Sequence, residues 1–301
     1  MIDAHAGSPR VHGAPWGEAA EGPFGGVDAH QHFWRLDRGD YGWLTPALGP
    51  IHRDFGPGDL APALARHGIG RTILVQAAPT AAETRWLLDL ARDTPFVAGV
   101  VGWTDFAASD APDAIAALAR EPKLVGLRPM VQDIADDDWL ARASLAPAFE
   151  AMIANDLAFD ALVLPRHLTR LATVLDRHPA LRVVVDHGAK PHIREREIDA
   201  WRADMATIAA HPGTCCKLSG LVTEAAPGDG FDEMAPWTDA LVELFGPHRL
   251  LWGSDWPVVD LAGGYDRWRA ITIEALAGLS AAESDAVLGG NAERVYLSRG
   301  R

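Results

Sequence analysis

Cysteine and long apolar runs are both scarce in this sequence. Its two cysteines, Cys215 and Cys216, are adjacent. Neighbouring side chains on a strand point to opposite faces, so we expect reduced, packed thiols rather than a disulfide or a metal site. No apolar run approaches the roughly 18 residues that a membrane-spanning helix needs, and the N-terminus lacks the apolar stretch of a secretory leader. We therefore expect a cytoplasmic protein.

Positive charge is also in deficit. The 301 residues include 27 Lys and Arg against 41 Asp and Glu, which gives a formal net charge of −14. Nucleic acids and anionic membranes select basic surfaces, so neither is an expected partner. A small-molecule substrate is compatible with this charge, and the sequence leaves the oligomeric state open and allows a homodimer.

Glycine, alanine and proline dominate residues 1–26 without periodicity, which predicts a flexible extension, and we expect residues 27–301 to form one domain. Eight runs rich in Val, Leu and Ile alternate there with helical patterns, as is typical of strands buried on both faces. This alternation predicts a (β/α)8 TIM-type barrel rather than an open sheet, since no G-x-G-x-x-G follows the first run. The runs cover residues 27–34, 71–77, 96–103, 124–131, 158–165, 181–188, 214–221 and 249–257.

Two segments have the spacing of a helix-capping box. Thr80 with Glu83, and Ser280 with Glu283, place a hydroxyl three residues before a glutamate. In such a box each side chain bonds the backbone N–H of the other residue. We expect a helix to begin at each of these positions.

Polar residues cluster where the predicted strands end. The run VDAHQHFW at 27–34 carries Asp28, His30 and His32, and side chains at i and i+2 of a strand face the same way. The loops at the C-terminal ends of barrel strands converge over one pocket. We expect that pocket to combine these three residues with Gln76, Arg128, His187 and Asp255, flanked by Trp34, Trp103 and Trp256.

Four blocks of the sequence resemble the amidohydrolase superfamily. They are DAHQHFW, VVVDHGAKPHI at 183–193, CKLSGL at 216–221 and FGPHRLLWGSDWPV at 245–258. More narrowly, they resemble its branch of sugar-lactone and pyrone-dicarboxylate lactonases, with L-fucono-lactonase-like hydrolases nearest. The resemblance runs from about residue 27 to GGNAERVYL at 289–297. It implies a distorted (β/α)8 barrel that hydrolyses an ester or amide at the strand ends.

The resemblance also implies a role for Asp255. This residue matches the aspartate of strand eight, which in the family takes a proton from the attacking water and passes it to the leaving oxygen. A carboxylate beside imidazoles can hold a water near a bound carbonyl, so the chemistry agrees. His187, Arg128 and Lys190 can stabilise the oxyanion. Arg128 can equally hold a substrate hydroxyl or carboxylate, and both roles stay open.

His30, His32 and Asp255 are ligand types that the superfamily uses for zinc. A firm site usually takes a further ligand from strand four or five. Here strand four ends in GLRPMV and strand five in LVLPRH, where His167 follows a proline and is expected to start the next helix. We therefore predict that one zinc ion binds at most weakly and that turnover requires no metal.

The leading substrate is a neutral aldonolactone with a 1,5 or 1,4 ring, hydrolysed to the sugar acid. Trp34 and Trp103 are expected to wall the sugar, because indole rings offer apolar area and an N–H donor. Gln76, His167 and Lys190 are further candidate contacts.

Three other functions stay open. A pyrone-dicarboxylate lactonase would need several cations for its doubly charged substrate, and Arg128, Arg166 and Lys190 are the candidates. A zinc-dependent amidohydrolase, decarboxylase or deaminase would need an additional metal ligand besides His30, His32 and Asp255. A sugar-acid binding protein without catalysis would leave Asp255 and the histidines without a role.

Overall fold

Eight parallel strands lie side by side in chain order in the computed structural model, which describes residues 25–298. With the helices between them they form a (β/α)8 barrel in a single domain, as predicted. The predicted extension lies outside the described residues except for Gly25 and for Gly26, which already begins β1. The strands are β1 Gly26–Gln31, β2 Ile69–Val75, β3 Val97–Gly102, β4 Leu124–Leu127, β5 Ala158–Ala161, β6 Val183–Val185, β7 Thr214–Leu218 and β8 Leu250–Trp252.

Helices follow the strands on the outside of the barrel. Over residues 25–298 the α-helices are α1 Pro57–His67, α2 Ala81–Arg92, α3 Ala111–Leu118, α4 Ala146–Ala154, α5 Leu168–Arg177, α6 Asp199–Ala209, α7 Leu221–Glu224, α8 Phe231–Phe245, α9 Gly264–Ala275 and α10 Ala281–Asp285. Two π-helical turns, Ala286–Gly290 and Glu293–Leu297, continue α10. None of the helices in this part of the chain is long and apolar enough to cross a bilayer.

The observed strands are shorter than the predicted runs, because the polar ends of the runs form loops. The run at 181–188 yields only Val183–Val185, and the next four residues make a tight 3-10 turn, Asp186–Ala189. The run at 249–257 likewise ends as a strand at Trp252. The polar residues that the sequence placed on strands 6 and 8 therefore lie in the loops at the C-terminal rim.

Side chains inside the barrel are mostly small or β-branched. The inner cluster includes Val27, Ala29, Ile73, Val75, Val101, Val125, Ala158, Val184, Cys215 and Leu251, and Tyr296 from the second π-helical turn joins it. Cys216 belongs to the outer cluster between strands and helices. The two buried thiols are thus free and on opposite faces, as predicted.

The barrel closes through the segment that follows β8 rather than through β8 itself. Asp255 donates its N–H to the carbonyl of His30 at 2.8 Å, and His32 donates its N–H to the carbonyl of Trp256 at 2.7 Å. An isolated parallel bridge joins Gln31 to Trp256. We call these contacts the closing seam.

One of the two predicted capping boxes forms completely. Ser280 and Glu283 exchange both bonds at the start of α10. At α2, Thr80 accepts the N–H of Glu83 at 3.0 Å. The Glu83 carboxylate instead accepts the N–H groups of Ala77 and Ala78, at 2.8–3.2 Å, so the second half of that box was predicted wrongly. Glu83 therefore anchors the loop that leaves β2.

Replacing Glu83 by glutamine tests this anchor through the pH dependence of stability. Burial raises the pKa of Glu83 from its ordinary 4.5 to about 7, although bonds from Ala78 and Ala77 oppose the rise. Between these two values the native protein holds a proton that the unfolded chain has lost, so the Glu83 contribution to stability falls as pH rises.

We expect the free energy of unfolding of the wild type, relative to Glu83→Gln, to fall by about 3 kcal/mol between pH 4.5 and 8. Urea denaturation of both proteins at the two pH values measures it. A difference that is independent of pH would contradict the buried location of this carboxylate.

Candidate active site

A bulge in β1 decides which of its polar side chains enter the barrel. Asp28 pairs with Thr72 and Gln31 with Leu74, so β1 uses three residues where β2 uses two. An extra residue of this kind shifts the alternation of side chains by one position. His30 and His32 meet inside the barrel, with their Nε2 atoms 3.1 Å apart.

Asp28 does not share that space, so the expectation that it faces the same way as the two histidines is wrong. Its carboxylate accepts the backbone N–H of Ser254 at 2.8 Å and the hydroxyl of Tyr265 on α9 at 3.2 Å. Burial raises the pKa of Asp28 to about 6, and bonds from Ser254, His30 and Tyr265 limit the rise. Asp28 thus ties β1 to the residue before Asp255.

Asp255 and His187 both sit in loops with left-handed backbone, at φ values of 57° and 54°. Such conformations are uncommon outside glycine and cluster at functional sites. They bring Asp255 Oδ1 within 3.3 Å of His32 Nε2, 3.7 Å of His30 Nε2 and 3.8 Å of His187 Nε2. Asp255 and His32 are each 4% exposed, so this cluster is nearly enclosed at the C-terminal rim.

The histidines keep the central carboxylate ionised. Burial by itself would raise the pKa of Asp255, but His187, His32 and His30 outweigh it and leave that pKa below its ordinary value. Burial lowers the pKa of His187 to about 4, against the opposing pull of Asp255 and Asp186. At neutral pH the centre therefore combines a carboxylate with a neutral His187.

Arg128 lies beneath this cluster with its guanidinium largely bound by protein atoms. Nη1 donates to Asp186 Oδ2 at 3.1 Å and lies 3.3 Å from His30 Nε2. Nη2 donates to the carbonyl of Gln76, whose side-chain amide in turn donates to the Arg128 carbonyl at 2.7 Å. Gln76 therefore positions Arg128, and both residues are almost fully buried.

A buried ionic network, which the sequence did not predict, supports the histidines from inside the barrel. Lys217 on β7 places its Nζ 2.5 Å from Asp160 Oδ2, 3.0 Å from Asp186 Oδ1 and 3.1 Å from His30 Nδ1. Tyr296 donates its hydroxyl to Asp160 at 2.8 Å. Lys217, Asp160, Asp186 and Arg128 together make up this network.

The pKa values of the network follow from burial and pairing. Burial would raise the pKa of Asp186, but Lys217, His30 and Arg128 reverse this and hold it well below its ordinary value. Burial raises the pKa of Asp160 to about 6 despite the nearby ammonium of Lys217. Charges buried this deeply are stable only when they are paired.

The spacing of the candidate ligands suits one divalent cation. His30, His187 and Asp255 offer ligand atoms that all lie within 4.8 Å of one another. His32 adds a fourth, since its Nε2 lies 3.3 Å from Asp255 Oδ1. Zinc–ligand bonds of 2.0–2.1 Å imply ligand separations of about 3.3 Å in a tetrahedron. Two histidine–carboxylate separations, 3.7 and 3.8 Å, are only slightly longer.

The two tryptophans predicted to wall the substrate differ in exposure. Trp34 is fully buried, its indole N–H donates to the Arg53 carbonyl at 2.8 Å, and its ring packs edge-on against Trp43. Trp43 is 38% exposed and donates to the carbonyl of Ala77 at 2.8 Å. Trp103 is half-buried at the end of β3. Trp34 therefore packs beneath the surface, where it contacts Trp43 and the loop at Arg53.

The three other candidates lie farther from the cluster or at its edge. His167 is buried in the turn before α5, where its Nδ1 accepts the N–H of Leu164 at 3.1 Å, as expected for a helix start. Arg166 is exposed and donates to Asp137 at 2.8 Å. Lys190 is half-buried in the turn after β6, and its charge acts on His187. Of the three, Lys190 is the one at the cluster.

Sequence reasoning missed Asp160, Asp186 and Lys217, and a signal for each was present. Each is a charged residue in or beside a run that is otherwise apolar on both faces: AFDALVLP, LRVVVDHG and TCCKLSGL. Charged residues are almost never fully buried without a partner. Three such residues, on strands 5 and 7 and directly after strand 6, could have predicted mutual pairing.

Comparison with known proteins agrees with this architecture. Residues 27–297 match the amidohydrolase family. A protein from Burkholderia ambifaria, an L-fucono-1,5-lactonase, is 50% identical, and the alignment covers 90% of this chain and 94% of that protein. An L-fucono-1,5-lactonase from Burkholderia multivorans is 39% identical over 90% of this chain and 95% of its own length.

A solved structure shows the same fold with a metal. The crystal structure of an amidohydrolase from Burkholderia multivorans with bound zinc is 38% identical to this chain and superposes with a TM-score of 0.86. The match covers 90% of this chain and 98% of that one. The convergence of imidazoles and a carboxylate in this chain is compatible with such a site.

A methyl group at Gly220 tests how tightly His187 is held. A Cβ at this position would lie 2.5 Å from His187 Nδ1, whereas a Cβ at Gly68 would meet nothing within 4 Å. The two glycines have matching φ values of 64° and 63°. Gly68→Ala should therefore cost about 1 kcal/mol for its backbone strain alone.

Gly220→Ala should lower the free energy of unfolding by about 1–3 kcal/mol more than Gly68→Ala does, because the His187 imidazole must move. The free energies of unfolding of both variants, measured in urea, check this difference. Equal losses would show that His187 has room to shift.

Proposed function

This chain belongs to the amidohydrolase family, and from that premise we propose that it is a lactonase that opens a sugar-derived aldonolactone, with L-fucono-1,5-lactone as the leading substrate. The observation that carries the proposal is the ionised Asp255, set among three imidazoles at the barrel rim of a chain half identical to an L-fucono-1,5-lactonase. Hydrolysis of a lactone needs a base for water and a donor for the carbonyl oxygen.

Asp255 is the proposed general base. Its carboxylate stays ionised because the neighbouring histidines lower its pKa, so it can accept a proton from a water bound at the rim. The left-handed backbone and the bond from Asp255 N–H to the His30 carbonyl fix its position. The same carboxylic acid then returns the proton to the ring oxygen as the lactone opens.

His187 is the proposed donor to the oxyanion. Its Nδ1 lies 2.9 Å from the Ser219 hydroxyl, which can donate to Nδ1 and leave Nε2–H directed to the rim. The ring stays neutral because burial lowers its pKa to about 4. Arg128 contributes charge from beneath, and Lys190 contributes it from the turn after β6. We propose substrate contacts for Trp103 and Lys190.

Few positively charged side chains at the site are free to bind an anion, which supports a neutral substrate. Arg128 is paired with Asp186, and Arg166 is bound to Asp137 outside the cluster. Of the three candidate cations, Arg128, Arg166 and Lys190, only Lys190 has no carboxylate in an ion pair with it among residues 25–298. A doubly charged pyrone dicarboxylate would need more than this one cation. The cytoplasmic location and the homodimer stay predictions.

We also propose that hydrolysis requires no resident metal. His30, His32, His187 and Asp255 would hold a zinc ion, which would polarise the lactone carbonyl or acidify a bound water. The lactone carbonyl is a more reactive electrophile than an amide, and the base and donor described above are protein groups.

A panel of aldono-1,4- and aldono-1,5-lactones, assayed with a pH indicator, tests the function. We expect the highest kcat/KM with L-fucono-1,5-lactone or a close relative. Asp255→Asn should lower kcat about 10²- to 10⁴-fold while the protein still binds the product acid, because the base is lost but the pocket is kept.

Glu83→Gln serves as the control for Asp255→Asn, since it removes a buried carboxylate outside the cluster, and we expect it to retain lactone hydrolysis. A wild-type protein that hydrolyses none of these lactones would refute the proposal. Unchanged turnover in Asp255→Asn would refute the assigned base.

Removal of metal is tested separately. Dialysis against a chelator should leave kcat and KM for the best lactone unchanged, with the zinc content followed by atomic absorption. Complete loss of activity that zinc restores would show that the metal is required.

A further inference from the structure

We propose that His30 exchanges between two neutral tautomers, and that Lys217 holds the one that cannot bind a metal ion while Asp186 holds the one that can. Lys217 would then be the residue that weakens metal binding at this site. The inference concerns this chain's own hydrogen bonds and does not depend on the lactonase activity.

Each ring nitrogen of His30 faces one donor and one acceptor. Nδ1 lies 3.1 Å from Lys217 Nζ and 3.4 Å from Asp186 Oδ1. Nε2 lies 3.1 Å from His32 Nε2 and 3.3 Å from Arg128 Nη1. An ammonium and a guanidinium only donate, and a carboxylate only accepts. The contacts therefore define two complementary hydrogen-bonding patterns.

His32 has no such freedom. Its Nδ1 lies 2.7 Å from the carbonyl oxygen of Val75, which can only accept, so Nδ1 carries the proton. Its Nε2 then presents a lone pair to His30 Nε2, 3.1 Å away. Burial keeps the ring neutral by lowering the pKa of His32. His32 therefore has one tautomer, and its Nε2 can only accept a hydrogen bond from His30.

The first tautomer carries the proton on Nε2. Lys217 then donates to Nδ1, and Nε2–H donates to the lone pair of His32, with both contacts at 3.1 Å. No lone pair of His30 faces the cluster in this state. Asp186 Oδ1 receives no hydrogen bond of good geometry, although Lys217 Nζ lies 3.0 Å away.

The second tautomer carries the proton on Nδ1. Nδ1–H then donates to Asp186 Oδ1, and Arg128 Nη1 donates towards Nε2, over longer contacts of 3.4 and 3.3 Å. The lone pairs of His30 and His32 now face each other at 3.1 Å, which is repulsive unless a cation lies between them. Without metal the first tautomer is therefore favoured.

A divalent cation reverses the preference. It needs the lone pairs of His30 and His32 together with Asp255 Oδ1, and histidine ligands commonly donate their second N–H to a carboxylate. Asp186 Oδ1 is that carboxylate. One proton leaves Nε2 and one is taken up at Nδ1, so His30 stays neutral. Lys217 loses its acceptor at Nδ1, and this loss opposes metal binding.

Nitrogen NMR of the wild-type protein tests the proposal directly. Protein labelled with 15N-histidine and freed of metal by a chelator should show His30 with a protonated Nε2 and a bare Nδ1. Added zinc chloride should move the proton to Nδ1, while Nδ1 of His32 stays protonated throughout. His30→Gln identifies the signals of His30 by their loss.

Three results would overturn the proposal in the wild type. They are a protonated Nδ1 on His30 before zinc is added, an unchanged tautomer after zinc binds, and the absence of any zinc-dependent change at His30, His32 and His187. This measurement needs no substitution in the ionic network, so it decides the question even if a variant fails to fold.

Lys217→Met tests the role of the ammonium. Metal-free Lys217→Met should show a larger fraction of His30 protonated on Nδ1 than the wild type, because Nδ1 loses its ammonium donor and keeps Asp186 Oδ1 as an acceptor. The facing lone pairs of His30 and His32 still oppose a complete switch. Calorimetric titration with zinc chloride should give about tenfold tighter binding. Loss of a positive charge could tighten binding by itself but would not move the tautomer, so a folded variant with the wild-type tautomer would overturn the proposal.

Tyr296→Phe is the matched control. Tyr296 bonds Asp160 on the far side of Lys217 and does not touch His30. The variant removes a hydrogen bond from the same network but keeps the ammonium at His30 Nδ1. We expect the wild-type tautomer and wild-type zinc affinity, and a shift in either as large as that in Lys217→Met would assign the effect to the network at large.

Discussion

Two backbone hydrogen bonds at the closing seam bring the chemistry of this protein together. His30 and His32 flank one side of the seam, and Asp255 and Trp256 lie on the other. The seam holds Asp255 Oδ1 3.3 Å from His32 Nε2 and 3.7 Å from His30 Nε2. The first and eighth units of the barrel, farthest apart in the chain, supply the base and two of its three imidazoles.

The ionic network lies beneath the seam and contacts His30 through Lys217, Asp186 and Arg128. Lys217 contacts Asp160, Asp186 and His30, so each of its three protons has an acceptor nearby. Removing one partner of a buried ion pair costs about 3–5 kcal/mol, so the charged members of the network stabilise one another. The network thus fixes the His30 ring through contacts that never reach solvent.

Periodicity in the sequence was sufficient for the barrel, and the C-terminal ends of its strands were sufficient to bring His30, His32, His187 and Asp255 together. The rule that residues i and i+2 face the same way failed for Asp28, because a bulge adds one residue to β1. No pattern in VDAHQHFW marks that extra residue. The burial of Trp34 depends on how the long loop after β1 packs, which one sequence does not specify.

The bond from Tyr296 to Asp160 gives the end of the chain a part in building the rim. During synthesis on the ribosome, β1 and its histidines emerge first, yet their support from Asp160 and Lys217 is complete only when the last π-helical turn has emerged and docked. A nascent chain can collapse around most of its apolar core before that moment. The ionic network beneath the histidines is complete only once Tyr296 has docked against Asp160.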